Sequence, residues 1–596
     1  MMRRLGVYGV NLPTKKERSV EPADFSIAGL IGYFDRQYNK AFQLRSDIEG
    51  KAIFGDQTNK NAYGWDCLNG FFANLKGVSG SIFVLSPVGA DAVQASLALK
   101  DGASEDILTV KASYQGEDEY GTFANRTGVT VERGAYFETA ISSYASKVFT
   151  VESCAGLHVG DIVRAHYIGS ESGSDTYTTI IALSENAKTV TVADAVTITN
   201  TADYVLQGMG FKLKTYRKSL TGIVSQVDTT LGEIWCTLNT DDPDHYVAQV
   251  FEQSSYVKVQ VNTTATAIEN KLPVTAELAY LSGGTTGTMP ANVASWKPYF
   301  NAFDTLPVRM LALCETANDQ IQSALEQYCR NRDDNPIAVL VAQYGLSTKQ
   351  AMINTGNFFQ RSDEVDALLI GNWLGVSNPF STSSVAPDRE IPCVGHVMGE
   401  WIYSIDQNGI HSSPARKNCA LSGVNSVIGY TADKDEDRTD LADAGINVIQ
   451  KMKGKGFILR NAFTPSTAKE FRYTNAVIER NFIKVSCVDS LQDSENTPNT
   501  IANVREDRMA VLQFMNKLWR SGSNGSTKEG ETFGQYEKDD GSFSTTEDAF
   551  EVIADASNNS VATLQAGERN IDIWFMFPAP AGSIKVGCGL IYKTVS

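Results

Sequence analysis

Residues 25–34, Phe-Ser-Ile-Ala-Gly-Leu-Ile-Gly-Tyr-Phe, form a nearly unbroken apolar run, which predicts a buried strand. A short helix is predicted over 45–54, closing at Gly55. Across 62–76 the apolar positions Trp65, Leu68, Phe71, Phe72 and Leu75 recur at helical spacing. Residues 81–86, Ser-Ile-Phe-Val-Leu-Ser, return to strand character, and the set predicts an α/β core unit.

The pattern changes over 105–275, where short β-rich runs are separated by Gly, Asn, Asp and Ser turns. Strands are predicted at 107–112, 148–152, 161–167, 176–183 and 189–192. Their short, even spacing marks 145–207 as a small separate β-module, with 169–175 as an exposed hairpin tip. Residues 281–290 read as a loop. Helices at 291–303, 316–332 and 346–358 then alternate with buried strands at 308–313, 337–342 and 366–370. That order predicts a parallel sheet with covering helices.

Residues 431–442 are acidic and expected to be exposed. Residues 445–449 and 456–460 read as paired strands, and 470–486 as a further apolar segment. The most regular helix is predicted at 501–520, with Val504, Met509, Leu512, Met515, Leu518 and Trp519 near one face and Gly522 closing it. A Gly/Ser/Thr-rich loop follows over 522–545, then a strand at 571–577 and a stiff Pro578-Ala-Pro580 linker. Residues 1–22 read as an extended arm, punctuated by Gly6, Gly9, Pro13 and Pro22, in which Val7, Tyr8 and Val10 have strand propensity. The last segment alternates like a strand, with Ile584, Val586, Cys588, Leu590 and Tyr592 on one face.

The chain has 596 residues, more than one compact core usually holds, so several domains are expected. The formal charge is −17, from 52 basic and 69 acidic residues, which argues against direct nucleic-acid binding. No run of 18 or more apolar residues occurs, so no membrane span is expected. The two arginines at the start have no apolar run behind them, so no secretory signal is expected and the chain should stay in the cytoplasm that makes it. The nine cysteines include no Cys-x-x-Cys pair. They read as buried reduced thiols, with intermolecular cross-links as the alternative.

Catalytic and metal motifs are sparse. The five histidines, His158, His166, His245, His396 and His411, show no metal-ligand spacing; His158 and His166 lie eight apart. No metal site and no cofactor are expected. Asp241, Asp242 and Asp244 surround Pro243 and read as turn formers, with a weak calcium alternative. No phosphate-binding Gly-x-x-x-x-Gly-Lys motif or Gly-x-Ser-x-Gly elbow is present, and Leu281-Ser282-Gly283-Gly284 reads as a tight turn. No catalytic residue is assigned, and the chain is read as a non-enzyme. Strand-like segments at both ends would be a liability in a monomer and a joining device in a polymer.

Seven segments, in order, resemble contractile phage tail sheath proteins. Gly6-Val7-Tyr8 resembles the family's N-terminal arm. Residues 25–55 and 70–85 are similar to its first core segments, 281–287 to its Leu-Ser/Thr-Gly-Gly-x-x-Gly loop, and 445–449 to its Gly-Ile-Asn segment. Phe471-Arg-Tyr-Thr-Asn475 followed by Arg480 resembles its Arg-Tyr-x-Asn-x-Arg-Arg strand, and 514–522 its Phe-Leu-x-x-Leu-Trp-x-x-Gly helix. The chain departs at Leu5, where the family often has Pro, and at Lys76-Gly77, displaced from the usual Asn-Gly.

The resemblance implies an α+β and α/β multidomain chain. Its parts are an N-terminal arm (1–22), a discontinuous inner core (23–104 with 431–577), a β-rich inserted outer region (105–275), a middle α/β domain (276–430) and a C-terminal linker and arm (578–596). It implies a structural subunit that polymerises as stacked hexameric rings around a tail tube, assembled in a host bacterial cytoplasm into a virion tail. Contraction would drive the tube through the host envelope. Partners would be copies of itself, the tube protein, and baseplate and tail terminator proteins. Val7, Tyr8, Val10, Ile584, Val586, Cys588, Leu590 and Ile591 would be donated as strands to neighbouring subunits. Pro13, Pro578 and Pro580 would stiffen the hinges. Arg505, Arg508, Lys517 and Arg520 would face the tube, the alternative being a solvated basic face. Other functions kept open are a different self-assembling tail or baseplate protein and a β-rich adhesin or carbohydrate-binding protein.

Overall fold

The computed structural model describes residues 18–169, 174–263, 266–383, 387–416 and 418–581. It is a mixed α/β chain with several sheets, divided into two compact units. One contains residues up to Leu30, Asp66–Phe83 and Asp304 onward; the other contains Ile31–Trp65 and Val84–Phe303. Among the described residues no helix is long and apolar enough to cross a membrane.

In the first unit the strands Ala367–Ile370, Ile337–Val341, Met310–Leu313, Ile27–Ile31 and Ser81–Leu85 lie side by side in that order. The first three pair in parallel, Leu311 opposite Ala338 and Val339 opposite Leu368. Every residue of these three strands is buried, as a parallel sheet covered on both faces requires. The helices Asp319–Asn331 and Lys349–Phe359 connect them. Asn318 and Thr348 cap those helices, each side chain accepting backbone amides of the first turn.

The helix Val394–Asn408 packs on the helix Gly64–Leu75 through glycines. A Cβ at Gly395 would lie 1.9 Å from the Cys67 carbonyl oxygen, and one at Gly399 2.2 Å from that of Phe71. Both pairs are four residues apart, so two helix faces meet backbone to backbone. His396 lies in the same contact, its ring against Gly70. Burial lowers its pKa from 6.5 to about 4, so the ring is neutral in the fold at neutral pH.

The second unit is β-rich. Its larger sheet runs Val224–Val227, Tyr204–Lys218, Ile162–Tyr167, Thr176–Ser184, Thr189–Val192, Val148–Val151, Thr127–Ala145, Ala276–Tyr280. Tyr204–Lys218 also pairs directly with Thr127–Ala145, Leu213 opposite Val131 and Leu206 opposite Thr139. Six strands therefore pair in a closed circuit, which leaves no free edge within it. Phe149, Val163, Ala165, Ile180, Val190 and Leu206 fill one core, and Val110, Val129, Phe211, Leu213, Phe251 and Val257 fill another. In this unit Arg36 and Glu119, both buried, pair at 2.7 Å, and Arg217 reaches the same carboxylate at 3.3 Å.

Strands within 276–430 lie in one sheet with Ile27–Ile31, and the long strands Thr127–Ala145 and Tyr204–Lys218, of 19 and 15 residues, border 145–207. Two expectations are corrected. The strand expected at 445–449 begins at Ile449 and runs to Met452, because the Asn447 side chain instead bonds the Leu369 and Phe463 carbonyls. The segment resembling a strand at 471–480 enters the helix Thr474–Leu491.

Gly399→Ala should lower the urea unfolding midpoint of the first unit, at a cost of about 1–3 kcal/mol or more, since the obstructing atom is backbone. For His396 the folded pKa lies below the unfolded one, so its contribution is fully present above pH 6.5 and is lost as pH falls towards 4. The acid limb of stability should carry up to about 3 kcal/mol from this residue. His396→Gln should flatten that limb, measured by urea unfolding between pH 7 and pH 4.

Candidate functional site

The described chain enters the first unit as an extended segment along the helix Thr474–Leu491. Ser490 Oγ accepts the Glu21 amide at 2.9 Å, and Ser486 Oγ accepts the Ala23 amide at 2.9 Å. Two residues of extended chain span about 6.6 Å and four residues of helix about 6 Å, so the two repeats match. Val20 and Phe25 are buried beside these bonds, and the Phe25 ring meets Phe482 edge-on at 5.3 Å. Phe25, Val78, Ile402, Ile405, Ile410 and Phe482 line a groove of about 250 Å³ beside this segment.

Arg18, the first described residue, reaches Asp507 on the helix Ile501–Ser521 through Nη1. Arg569 reaches the same carboxylate from the other end of the chain, also through Nη1. Ser494 Oγ donates to it at 2.8 Å. Asp507 is 1% exposed, so this anion is held wholly by protein groups. Arg569 also donates to Asn499 Oδ1 at 3.2 Å, and the Asn499 amide donates to the Leu564 and Glu568 carbonyls at 3.0 and 2.7 Å. The segments that lead to both ends of the chain are therefore tied to one buried carboxylate.

Beyond Arg569 the strand Asp572–Phe575 pairs antiparallel with Phe550–Ile553, Ile573 opposite Val552. Among the described residues neither strand has a third neighbour. Phe533, fully buried, packs against Phe550 and Phe575 beneath this ribbon, whereas Trp574 is 67% exposed. A two-stranded ribbon is marginal alone and presents unpaired backbone along its edges.

The helix Ile501–Ser521 buries Val504, Val511, Phe514, Met515, Leu518 and Trp519. Met509, placed on that face by the sequence pattern, is instead 47% exposed. It lies in an exposed stripe with Arg505, Gln513 and Lys517, each four residues apart, and Arg520 is exposed at the last turn. Arg508 differs, because its Nε donates to the Val552 carbonyl at 2.8 Å and ties the helix to the ribbon. Pro578 and Pro580 are half-buried at the end of the described chain. Val7, Tyr8, Val10, Pro13, Ile584, Val586, Cys588, Leu590 and Ile591 lie outside the described residues. The eight described cysteines are free thiols and all buried.

Sequence reasoning missed Arg18, Asp507 and Arg569. Nothing in spacing joins residues this far apart; the available signal was an aspartate on the otherwise apolar face of the 501–520 helix. Sequence spacing also gave the histidines no shared site, whereas the fold brings His158 to Asp242 and His245 and pairs His166 with Asp175 at 2.9 Å.

No protein-family model matches the sequence, and no curated protein sequence matches it. Among solved structures the chain is similar to a protein of the anti-feeding prophage baseplate, at 15% identity over 52% of this chain and 78% of that one, with a TM-score of 0.40. It is similar to a protein of the contracted PVC sheath complex of an extracellular contractile injection system, at 18% identity over 49% and 74%, with a TM-score of 0.40. It is also similar to one of the contracted helical sheath of the anti-feeding prophage, at 15% identity over 52% and 78%, with a TM-score of 0.39.

Asp507→Asn should leave two guanidiniums without their buried counter-charge, at a cost of about 3–5 kcal/mol. Limited proteolysis mapped by mass spectrometry should then show new cleavage near residues 18–24 and beyond 569. Glu506, half exposed and 3.9 Å from Arg18, is the control: Glu506→Gln should cost under about 1 kcal/mol. Equal proteolysis of wild type and Asp507→Asn would show that this carboxylate does not hold the two segments.

Proposed function

We propose that the chain is the sheath subunit of a contractile tail or related injection apparatus. The observation that carries this reading is the shared mooring of both terminal segments on Asp507. The seven ordered resemblances along the sequence support it, as does the ribbon of Phe550–Ile553 and Asp572–Phe575, which has no third strand among the described residues.

On this reading Val7, Tyr8 and Val10, and Ile584, Val586, Cys588, Leu590 and Ile591, pair as strands with neighbouring copies. The ribbon is the acceptor edge, since added strands would complete a sheet that two strands make only weakly. Each copy both gives and takes, so the contacts are heterologous and propagate as rings and helices, hexameric in the proposed lattice. Arg505, Lys517 and Arg520 face the tube protein, where weak polar contacts permit sliding; Arg508 serves the subunit's own ribbon. Pro13, Pro578 and Pro580 flank the moored roots and act as the hinges. Contraction draws on the free-energy difference between two lattices and needs no nucleotide. Baseplate and terminator proteins cap the ends, and assembly takes place in a bacterial cytoplasm before the tail joins a virion or injection particle. The chain itself carries out no catalysis.

Negative-stain electron microscopy of the purified full chain at high concentration should show rings or hollow tubes. A chain that stays monomeric there is not a sheath subunit. Deleting residues 1–12 or 581–596 should abolish assembly while leaving the unfolding midpoint within the range of wild type. Assembly that survives both deletions would remove the strand-donation assignment.

A further inference from the structure

The β-rich unit carries a cluster that neither the sheath reading nor the sequence motifs use. His158 lies on the loop between the strands Val148–Val151 and Ile162–Tyr167; Asp242 and His245 lie on the loop after Cys236. Asp242 Oδ2 is 2.7 Å from His245 Nδ1 and 3.1 Å from His158 Nδ1. One ligand atom from each of the three residues lies within 4.8 Å of the others. Ligands held about 2.0–2.2 Å from one ion sit roughly 2.9–3.4 Å apart, so the carboxylate–imidazole separations are close to those of a coordination shell.

Two further features point to a ligand. The His158 Nδ1 atom is shielded from solvent and faces the carboxylate, yet makes no hydrogen bond. The two loops are also held in place by groups behind them. Asp161 accepts the His158 amide at 2.7 Å, the Tyr136 hydroxyl at 2.6 Å and the Asn239 side-chain amide at 2.8 Å. The Tyr136 ring stacks on His245 with 17° between planes, which fixes the imidazole. Such support behind the ligands is what orients a metal site before the ion arrives.

We propose that His158, Asp242 and His245 bind a divalent late transition ion, zinc in the first instance. Two imidazoles and one carboxylate favour such an ion over calcium or magnesium, which prefer all-oxygen shells. Asp242 is buried while His158 and His245 are partly exposed, so water can complete the shell. His158 belongs to the closed strand circuit and the other two ligands to a loop packed on the base, so the ion staples module to base.

The test is equilibrium dialysis of the untagged, chelator-treated full chain against zinc, with cobalt(II) absorption as a second readout. One ion per chain should bind with micromolar affinity, and zinc should raise the melting temperature of the β-rich unit. His158→Ala and His245→Ala should each weaken binding by roughly tenfold or more. His166→Ala, which alters the separate pair with Asp175, should leave binding unchanged. Asp242 is buried and its variants risk misfolding, so the two partly exposed histidines decide the matter. Absence of stoichiometric binding in the wild type, or binding retained by the double histidine variant, would overturn the proposal.

Discussion

A buried carboxylate between two guanidiniums holds both ends of the described chain. Burying the Asp507 carboxylate is costly, and the cost is met only while a guanidinium stays paired with it. Asp507 carries one negative charge against two guanidiniums, so the cluster is net positive and either arginine alone would neutralise the carboxylate. The carboxylate is therefore what the two roots share: losing it loosens both, whereas losing one arginine leaves the other paired. Ser494 and the Asn499 bonds then fix the loop that starts the helix Ile501–Ser521, so the charge cluster also sets where that helix begins.

The rest of the first unit gives this cluster a rigid base. The three fully buried parallel strands allow no register slip, because every face is apolar and covered. The glycine contact of Val394–Asn408 with Gly64–Leu75 brings two helix backbones closer than side chains would allow. Small distortions cannot be absorbed there, since the nearest atoms are carbonyl oxygens rather than flexible side chains.

Most strands and helices were legible because their patterns are local. Buried runs such as 337–342, and helix signals such as Asn318 and Gly522, depend on neighbours within a few residues. The misreadings arose where tertiary contacts decide. Residues 471–480 look strand-like, but the helix that holds them is buried on nearly every side, which removes the amphipathic period that marks a helix. Asn447 spends its side chain on two carbonyls and so interrupts a strand that its apolar neighbours favour. The Asp507 cluster and the His158–Asp242–His245 cluster were illegible for one reason: their members come from segments tens to hundreds of residues apart, and spacing rules see only one segment at a time.

On the proposed sheath reading, the Asp507 cluster serves a subunit that must be both firm and movable. A strand joined to a neighbour by backbone hydrogen bonds passes any load along the chain to its root. At the N-terminal root the load meets a helix through Ser486 and Ser490, then Asp507; at the C-terminal root it meets Arg569 and the same carboxylate. On that reading a load on one arm would be shared with the anchor of the other through Asp507. If the chain is the proposed sheath subunit, rotation between copies would fall outside Arg18 and Arg569, where the sequence places Pro13, Pro578 and Pro580. Proline suits that place because it limits the backbone to few conformations, so a hinge built on it turns between set positions instead of going slack.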